Sequence, residues 1–176
     1  MTDYKQSKET NWDDGHRLWP LPNMPWTMKQ TWNDLLFAHF PVNFNVLRKL
    51  VPNIFPLDTY DGVCWVGVVP FHMTDIRLRG LPPIPGTDKF PELNVRTYVT
   101  IDGKPGVYFF IFFATNLLAI KVARTFYHLP YVRANMKVEK QGDMIEYESV
   151  RKSEDARFVA DYRPVSEKKK KKKGSF

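Results

Sequence analysis

Cysteine is nearly absent: Cys64 is the only one in 176 residues, so no intramolecular disulfide can form. It lies between Val63 and Trp65 in an apolar run, which predicts a small buried packing residue. A nucleophilic cysteine needs a base nearby, and the local sequence supplies none. No apolar run approaches the roughly 20 residues of a membrane-spanning helix. Met1–Asn11 is polar and has no apolar core of the signal-peptide kind. These absences predict no membrane partner and a cytoplasmic location. Neither GxGxxG nor GxxxxGK(S/T) occurs, so the glycine-cradled phosphate sites of nucleotide enzymes have no counterpart. GxSxG is missing too, which removes the usual support for Ser/His/Asp catalysis. His16, His39, His72 and His128 show no HExxH-like spacing, so no metal and no cofactor is expected. His39 and His72 sit beside strand residues, and His128 falls at a helix C-terminus, where the dipole favours positive charge. Structural roles are expected for all of them.

Acidic charge is scarce only in one place. The formal net charge is +7, and six of those charges are the run Lys168–Lys173. Without the run, 20 basic residues face 19 acidic ones, a net of +1. The folded part carries no electrostatic footprint for nucleic acid, and no specific nucleic-acid partner is expected. The run itself reads as a solvated tail, with generic attraction to nucleic acid or acidic lipid as the alternative.

What the chain has in quantity is apolar and aromatic side chains, 43% and 15% of residues. That supports one sizeable core and favours strands. Residues 1–16 are expected to be a disordered N-terminus, 17–166 a β-rich domain, and 167–176 a lysine-rich tail. Arg17–Thr27 is punctuated by prolines and reads as extended, with its tryptophans packed on the domain or serving as a proline-rich ligand. Strands are expected at Leu35–Phe40, at Val63–Pro70 continuing to Arg79 after a break near Pro70, and at Leu93–Ile101. Further strands are expected at Gly106–Ala114, Val132–Lys140, Met144–Arg151 and Phe158–Arg163. Asp61-Gly62 and Asp102-Gly103 carry hairpin-turn signals. A short helix is expected over Asn43–Val51, with Phe44, Leu47, Leu50 and Val51 inward. A longer one should start at Thr115 or Asn116 and run to about Tyr127, with Leu117, Ile120, Ala123 and Tyr127 as its apolar stripe. Gly80–Pro91 is a loop stiffened by proline. The class is α+β, β-rich, with antiparallel pairing dominant.

The most informative stretch is Phe90–Ile101. Glu92, Asn94, Arg96 and Tyr98 occupy alternate positions and therefore share one face of a strand, with Leu93, Val95, Thr97 and Val99 on the other. Such a face either meets water or lines a pocket. Four polar types fed by a stiff loop favour a pocket. Same-face neighbours lie roughly 7 Å apart, so Glu92 and Arg96 could share one small ligand or form a structural ion pair. Of the lysines, Lys104, Lys121 and Lys137 are candidates for Schiff-base chemistry, but none sits in an evident apolar pocket.

Several segments together resemble the YqjF-like family of uncharacterised bacterial proteins. They include Trp26–His39, Trp65–Phe71, Arg79–Pro83, Phe90–Val99, Gly103–Val107, Tyr127–Tyr131 and Tyr162–Pro164. The family is related in fold to acetoacetate decarboxylase, which implies an antiparallel β-barrel or sheet enclosing a pocket. In acetoacetate decarboxylases a Gly-x-Pro-Lys-Lys segment after a helix carries the Schiff-base lysine and its activating neighbour. The corresponding segment here, by motif order, is His128-Leu-Pro-Tyr131-Val132, and both lysines are absent. The resemblance thus implies the pocket without the decarboxylase reaction, and sets Glu92 where those enzymes have a pocket carboxylate. Family members continue beyond the Tyr-Arg-Pro motif, whereas this chain enters the lysine run. The resemblance implies a C-terminally truncated product with an unpaired sheet edge, which invites association into a homo-oligomer.

Three readings stay open. One is a small-molecule-binding domain for a polar or anionic carbonyl or carboxylate compound, with Glu92, Asn94, Arg96 and Tyr98 as ligand-binding residues. Another is an enzyme on such a compound, with Glu92 as acid or base and Arg96 as anion clamp. The third is a structural or interaction module, including a nonfunctional remnant.

Overall fold

The computed structural model describes residues 23–166. His16, the N-terminal segment and the Lys168–Lys173 run lie outside the described residues. Along the chain come β1 (Met28–Asn33), β2 (Ala38–Val42), α1 (Phe44–Arg48), β3 (Cys64–Leu78), β4 (Phe90–Ile101) and β5 (Lys104–Ala114). They are followed by α2 (Leu117–Phe126), β6 (Tyr131–Arg133), β7 (Asn135–Gln141), β8 (Met144–Arg151) and β9 (Ala156–Tyr162). All fall within Trp26–Pro164, which forms one compact unit.

Turn chemistry sets the strand register. Asp61 and Gly62 have φ of 51° and 75°, and Asp102 and Gly103 have 51° and 72°. Two successive left-handed residues match the twist of a hairpin. Tyr60 and Val63 accordingly exchange backbone hydrogen bonds, and β4 runs straight into β5. Six strands make one sheet in the order β1-β3-β4-β5-β6, with β2 paired to the part of β3 that β1 leaves uncovered. β7, β8 and β9 make a second sheet. Pairing is antiparallel except between β5 and β6, which are joined through α2. Asn43 and Asn116 cap the two helices through their side-chain oxygens.

One apolar cluster of the core lies on one face of the large sheet, while Leu93, Thr97 and Val99 of β4 are buried on the other. Val69, Phe71 and Met73 of β3, Phe90 of β4 and Ala114 of β5 pack with Ile120 of α2. Tyr147 of β8 is fully buried, and its hydroxyl donates to the Glu92 carbonyl oxygen at 2.7 Å, which ties the small sheet to β4. Cys64 is buried, as its apolar neighbours predicted.

Several expected elements differ. β1 was not foreseen, and the strand expected at Leu35–Phe40 is β2, shifted to Ala38–Val42. β3 does not break at Pro70. The Pro70 carbonyl points away from β4 and accepts from the Leu36 N–H at 3.2 Å, in the gap between β2 and β1. Its missing N–H faces the same gap, so the ladder to β4 loses nothing. The irregularity sits instead at Asp75, whose φ is 54°, where the β1 register shifts. The expected strand Val132–Lys140 is two strands in two sheets. Ala134 marks the switch: it is buried, and its N–H donates to the Ala114 carbonyl. In α1 only Leu47 is buried, with Val51 just beyond it, while Phe44 and Leu50 are exposed. In α2 Ile120 is buried, but Leu117 and Tyr127 are exposed.

Candidate functional site

β4 is the central strand of the large sheet, paired along most of its length with β3 and β5. Its alternation places Glu92, Asn94, Arg96 and Tyr98 on the core face. Glu92 stands opposite Phe71 and Ala114, Asn94 opposite Val69 and Phe112, and Arg96 opposite Gly67 and Phe109. This face does not simply meet water: Glu92 is 2% exposed and Asn94 1%, with Arg96 and Tyr98 half-buried. β5 carries an extra residue, Phe110, opposite the Val95–Arg96 step. Such a bulge bends the strand locally and re-aims the side chains beside it.

At the deep end, the Tyr131 hydroxyl donates to Glu92 Oε2 at 2.6 Å. β6 brings Tyr131 there by pairing parallel to β5, and its ring stacks on Phe112 with centroids 4.6 Å apart. Burial pushes the Glu92 carboxyl up to about 7, and the Tyr131 hydrogen bond opposes the shift without cancelling it. Burial, and then the charge of Glu92, hold the Tyr131 phenol far above its ordinary range. Glu92 is thus poised to gain or lose a proton near neutrality.

At the outer end, the Arg96 guanidinium lies 5.2 Å from the Phe37 ring centroid and 5.9 Å from that of Tyr98. Tyr98 shares a 2.5 Å hydrogen bond with His39 Nε2. Two buried atoms on this row have no hydrogen-bond partner among the described residues, the acceptor Asn94 Oδ1 and the donor Arg96 Nε. Leaving such atoms unpaired costs about 1–3 kcal/mol each.

The alternative of a Glu92–Arg96 ion pair is not realised. Ion pairs among the described residues include Lys137–Glu139, Lys140–Asp34, Arg151–Glu154 and Arg157–Glu148, and none of these joins Glu92 to Arg96. Glu92 and Arg96 are two same-face steps apart, roughly 13 Å along the backbone, so a shared ligand must span between them. Among the described residues, no three or more His, Cys, Asp and Glu side chains are grouped to hold a metal ion. Lys104, Lys121 and Lys137 are all exposed. A shallow concavity on the small sheet, rimmed by Lys137, Glu139, Glu146, Glu148 and Asp161, has most of its charges paired locally.

Sequence reasoning missed Tyr131 and Tyr147 at the deep end and Phe37 and Gly67 at the outer end, and it gave His39 only a structural role. The one available signal is Tyr131's place right after Pro130, in the segment that by motif order corresponds to the decarboxylase lysines.

Comparison with known proteins agrees with this architecture. The family model DUF2071, described as an uncharacterized conserved protein, matches residues 29–176. The uncharacterized protein YqjF of Bacillus subtilis (strain 168) is 56% identical over 147 residues, covering 83% of this chain and 61% of that protein. The chain therefore spans about three fifths of this relative's length. Among solved structures, the acetoacetate decarboxylase of Legionella pneumophila aligns with a TM-score of 0.54 at 15% identity, over 82% of this chain and 55% of its own. An acetoacetate decarboxylase-like enzyme from Sphingomonas wittichii RW1 gives 0.56 at 14%, over 78% and 58%. The enduracididine biosynthesis enzyme MppR, complexed with pyruvate, gives 0.54 at 8%, over 73% and 54%. At these identities the likeness concerns the fold, which is acetoacetate-decarboxylase-like.

Proposed function

Because the chain belongs to the DUF2071 family of uncharacterized conserved proteins, we propose that it binds a small polar or anionic carbonyl or carboxylate compound along the core face of β4, without lysine chemistry. The observation that carries this reading is the buried Glu92–Tyr131 pair in line with Asn94 and Arg96, whose side chains hold buried polar atoms with no partner among the described residues. Asn94 Oδ1 asks for a donor and Arg96 for an anion, so a ligand with both kinds of group satisfies the row. A fold neighbour complexed with pyruvate supports a ligand of this class. Tyr131 stands in the segment that corresponds, by motif order, to the decarboxylase lysine pair. A phenol there can donate a hydrogen bond but cannot form an iminium ion.

A second reading is favoured by the position of the Glu92 carboxyl, buried against the Tyr131 hydroxyl and raised by that burial to about 7. A group that exchanges its proton near working pH is suited to general acid–base catalysis. Glu92 would then move a proton at a carbon or oxygen beside the carbonyl, and Arg96 would hold the anionic end.

The test is a thermal-stabilisation screen with small carboxylates and carbonyl compounds, repeated on Arg96→Ala. Binding to the folded state raises the melting temperature. The expected result is a set of carboxylate hits that Arg96→Ala abolishes. No hit, or hits indifferent to Arg96→Ala, would end the pocket reading. Borohydride trapping in the presence of keto acids is expected to give no adduct by mass spectrometry. A covalent adduct on any lysine would overturn the lysine-free assignment.

A further inference from the structure

Gly67 is the fourth residue of β3, with no positive φ to require it. Glycine in a strand interior weakens the strand and marks places where something approaches the backbone closely. His39 of β2 and Arg96 of β4 are its direct cross-strand partners, so all three residues share one face. Tyr98 joins them one same-face step along β4. A Cβ placed on Gly67 would lie 3.4 Å from the Tyr98 hydroxyl, 3.5 Å from Arg96 Cγ and 3.6 Å from His39 Nε2. Three polar side chains thus lean over the one position in the row that carries no side chain.

We propose that His39, Gly67, Arg96 and Tyr98 form a carboxylate-binding subsite whose floor is the bare backbone of Gly67. This rests on the pocket reading above and assigns the anionic end of its ligand. The Arg96 guanidinium is held by the Phe37 and Tyr98 rings and is not ion-paired to any described carboxylate, and its buried Nε–H has no acceptor among the described residues. The Nε and Nη edge of an arginine presents two parallel donors at the spacing of two carboxylate oxygens. Tyr98 adds a third donor once its hydrogen bond with His39 runs from Nε2–H to the phenol oxygen, which frees the phenol hydrogen for the anion. His39 is therefore a positioning residue, and Arg96 and Tyr98 make the contacts. A flat carboxylate can set one oxygen into the methyl-sized space over Gly67.

The experiment is calorimetric titration of the 176-residue chain with propionate and with 4-oxopentanoate, on the natural sequence and on Gly67→Ala, Arg96→Gln and His39→Gln. The distances around Gly67 are ordinary contacts, so Gly67→Ala is expected to keep or raise the melting temperature while weakening both carboxylates at least tenfold. Arg96→Gln is expected to do the same to binding. His39→Gln, whose amide can still donate to Tyr98, is expected to retain more affinity than Arg96→Gln. Should Gly67→Ala fold poorly, the other two variants decide. Failure of both carboxylates to bind, or affinity unchanged within twofold in Gly67→Ala and Arg96→Gln, overturns the subsite. Equal binding of propionate and 4-oxopentanoate, both lost in Gly67→Ala, upholds the subsite while removing the carbonyl end of the pocket reading. Binding of 4-oxopentanoate that ignores Gly67→Ala removes the subsite and leaves the pocket reading in place.

Discussion

Replacing Glu92 by glutamine is expected to make the protein more stable at pH 8 relative to the natural sequence, and to leave no such gain at pH 4.5. The Glu92 carboxyl rises from 4.5 to about 7 on folding, chiefly through burial. Between those values the folded state holds a proton that the unfolded chain releases. Stability therefore falls as pH rises through this window and levels off above it. At about 1.4 kcal/mol per pH unit, the relative loss is about 3 kcal/mol. Glutamine has nearly the same shape, can accept from Tyr131 through its amide oxygen, and does not titrate. Chemical denaturation of both proteins at several pH values measures the difference directly. A gap that does not widen between pH 4.5 and pH 8 would show that Glu92 is not buried as a titrating carboxyl.

Tyr131→Phe is expected to act in the opposite direction. The phenol donates to Glu92 Oε2 and is the group that restrains the upward shift of its carboxyl. Without it, Glu92 is expected to titrate above about 7, and the variant to lose about 2 kcal/mol at pH 8, the range for a hydrogen bond to a charged group. Less is lost at pH 4.5, where Glu92 is protonated in either protein. The ring stays stacked on Phe112, so packing changes little. Carbon-detected NMR titration of the Glu92 carboxyl reads the shift, and denaturation of the Glu92→Gln/Tyr131→Phe double variant reads the coupling. A carboxyl that titrates at the same pH in Tyr131→Phe would mean the pair does not act as a unit.

The Glu92–Tyr131 pair and the proposed carboxylate subsite lie at opposite ends of one strand face. The parallel β5–β6 connection supplies Tyr131 to one end, and the β2–β3 pairing supplies His39 and Gly67 to the other. β4 contributes a residue to each step between them. Changes confined to one end are therefore expected to leave the other end's hydrogen bonds intact.

Much was legible in the sequence because it depended on local rules. The Asp-Gly turns, the Asn116 cap, the alternation of Phe90–Ile101 and the strand at Met144–Arg151 all follow from backbone sterics and a period of two or 3.6 residues. The polar row Glu92, Asn94, Arg96 and Tyr98 was legible for the same reason. The local rules also misled in particular places. Pro70 looked like a break because its unpaired side was invisible, and Val132–Lys140 looked like one strand because a buried alanine leaves no mark when a chain changes sheets. The helix stripes at Phe44, Leu50, Leu117 and Tyr127 overstated burial, since periodicity says which residues share a face and not whether anything covers it.

By itself the sequence determined that Glu92, Asn94, Arg96 and Tyr98 face one way and that Tyr131 and Val132, not lysines, follow Pro130. Which ring or hydroxyl meets each of them was decided only by the tertiary structure. Tyr131 reaches Glu92 across 39 residues, Tyr147 across 55, and His39 reaches Tyr98 across 59. Such contacts arise from strand register and sheet order, which many side chains set collectively and no short segment encodes. The same register puts Gly67 under His39, Arg96 and Tyr98, and the burial of Glu92 at the centre of the sheet moves its carboxyl toward neutrality.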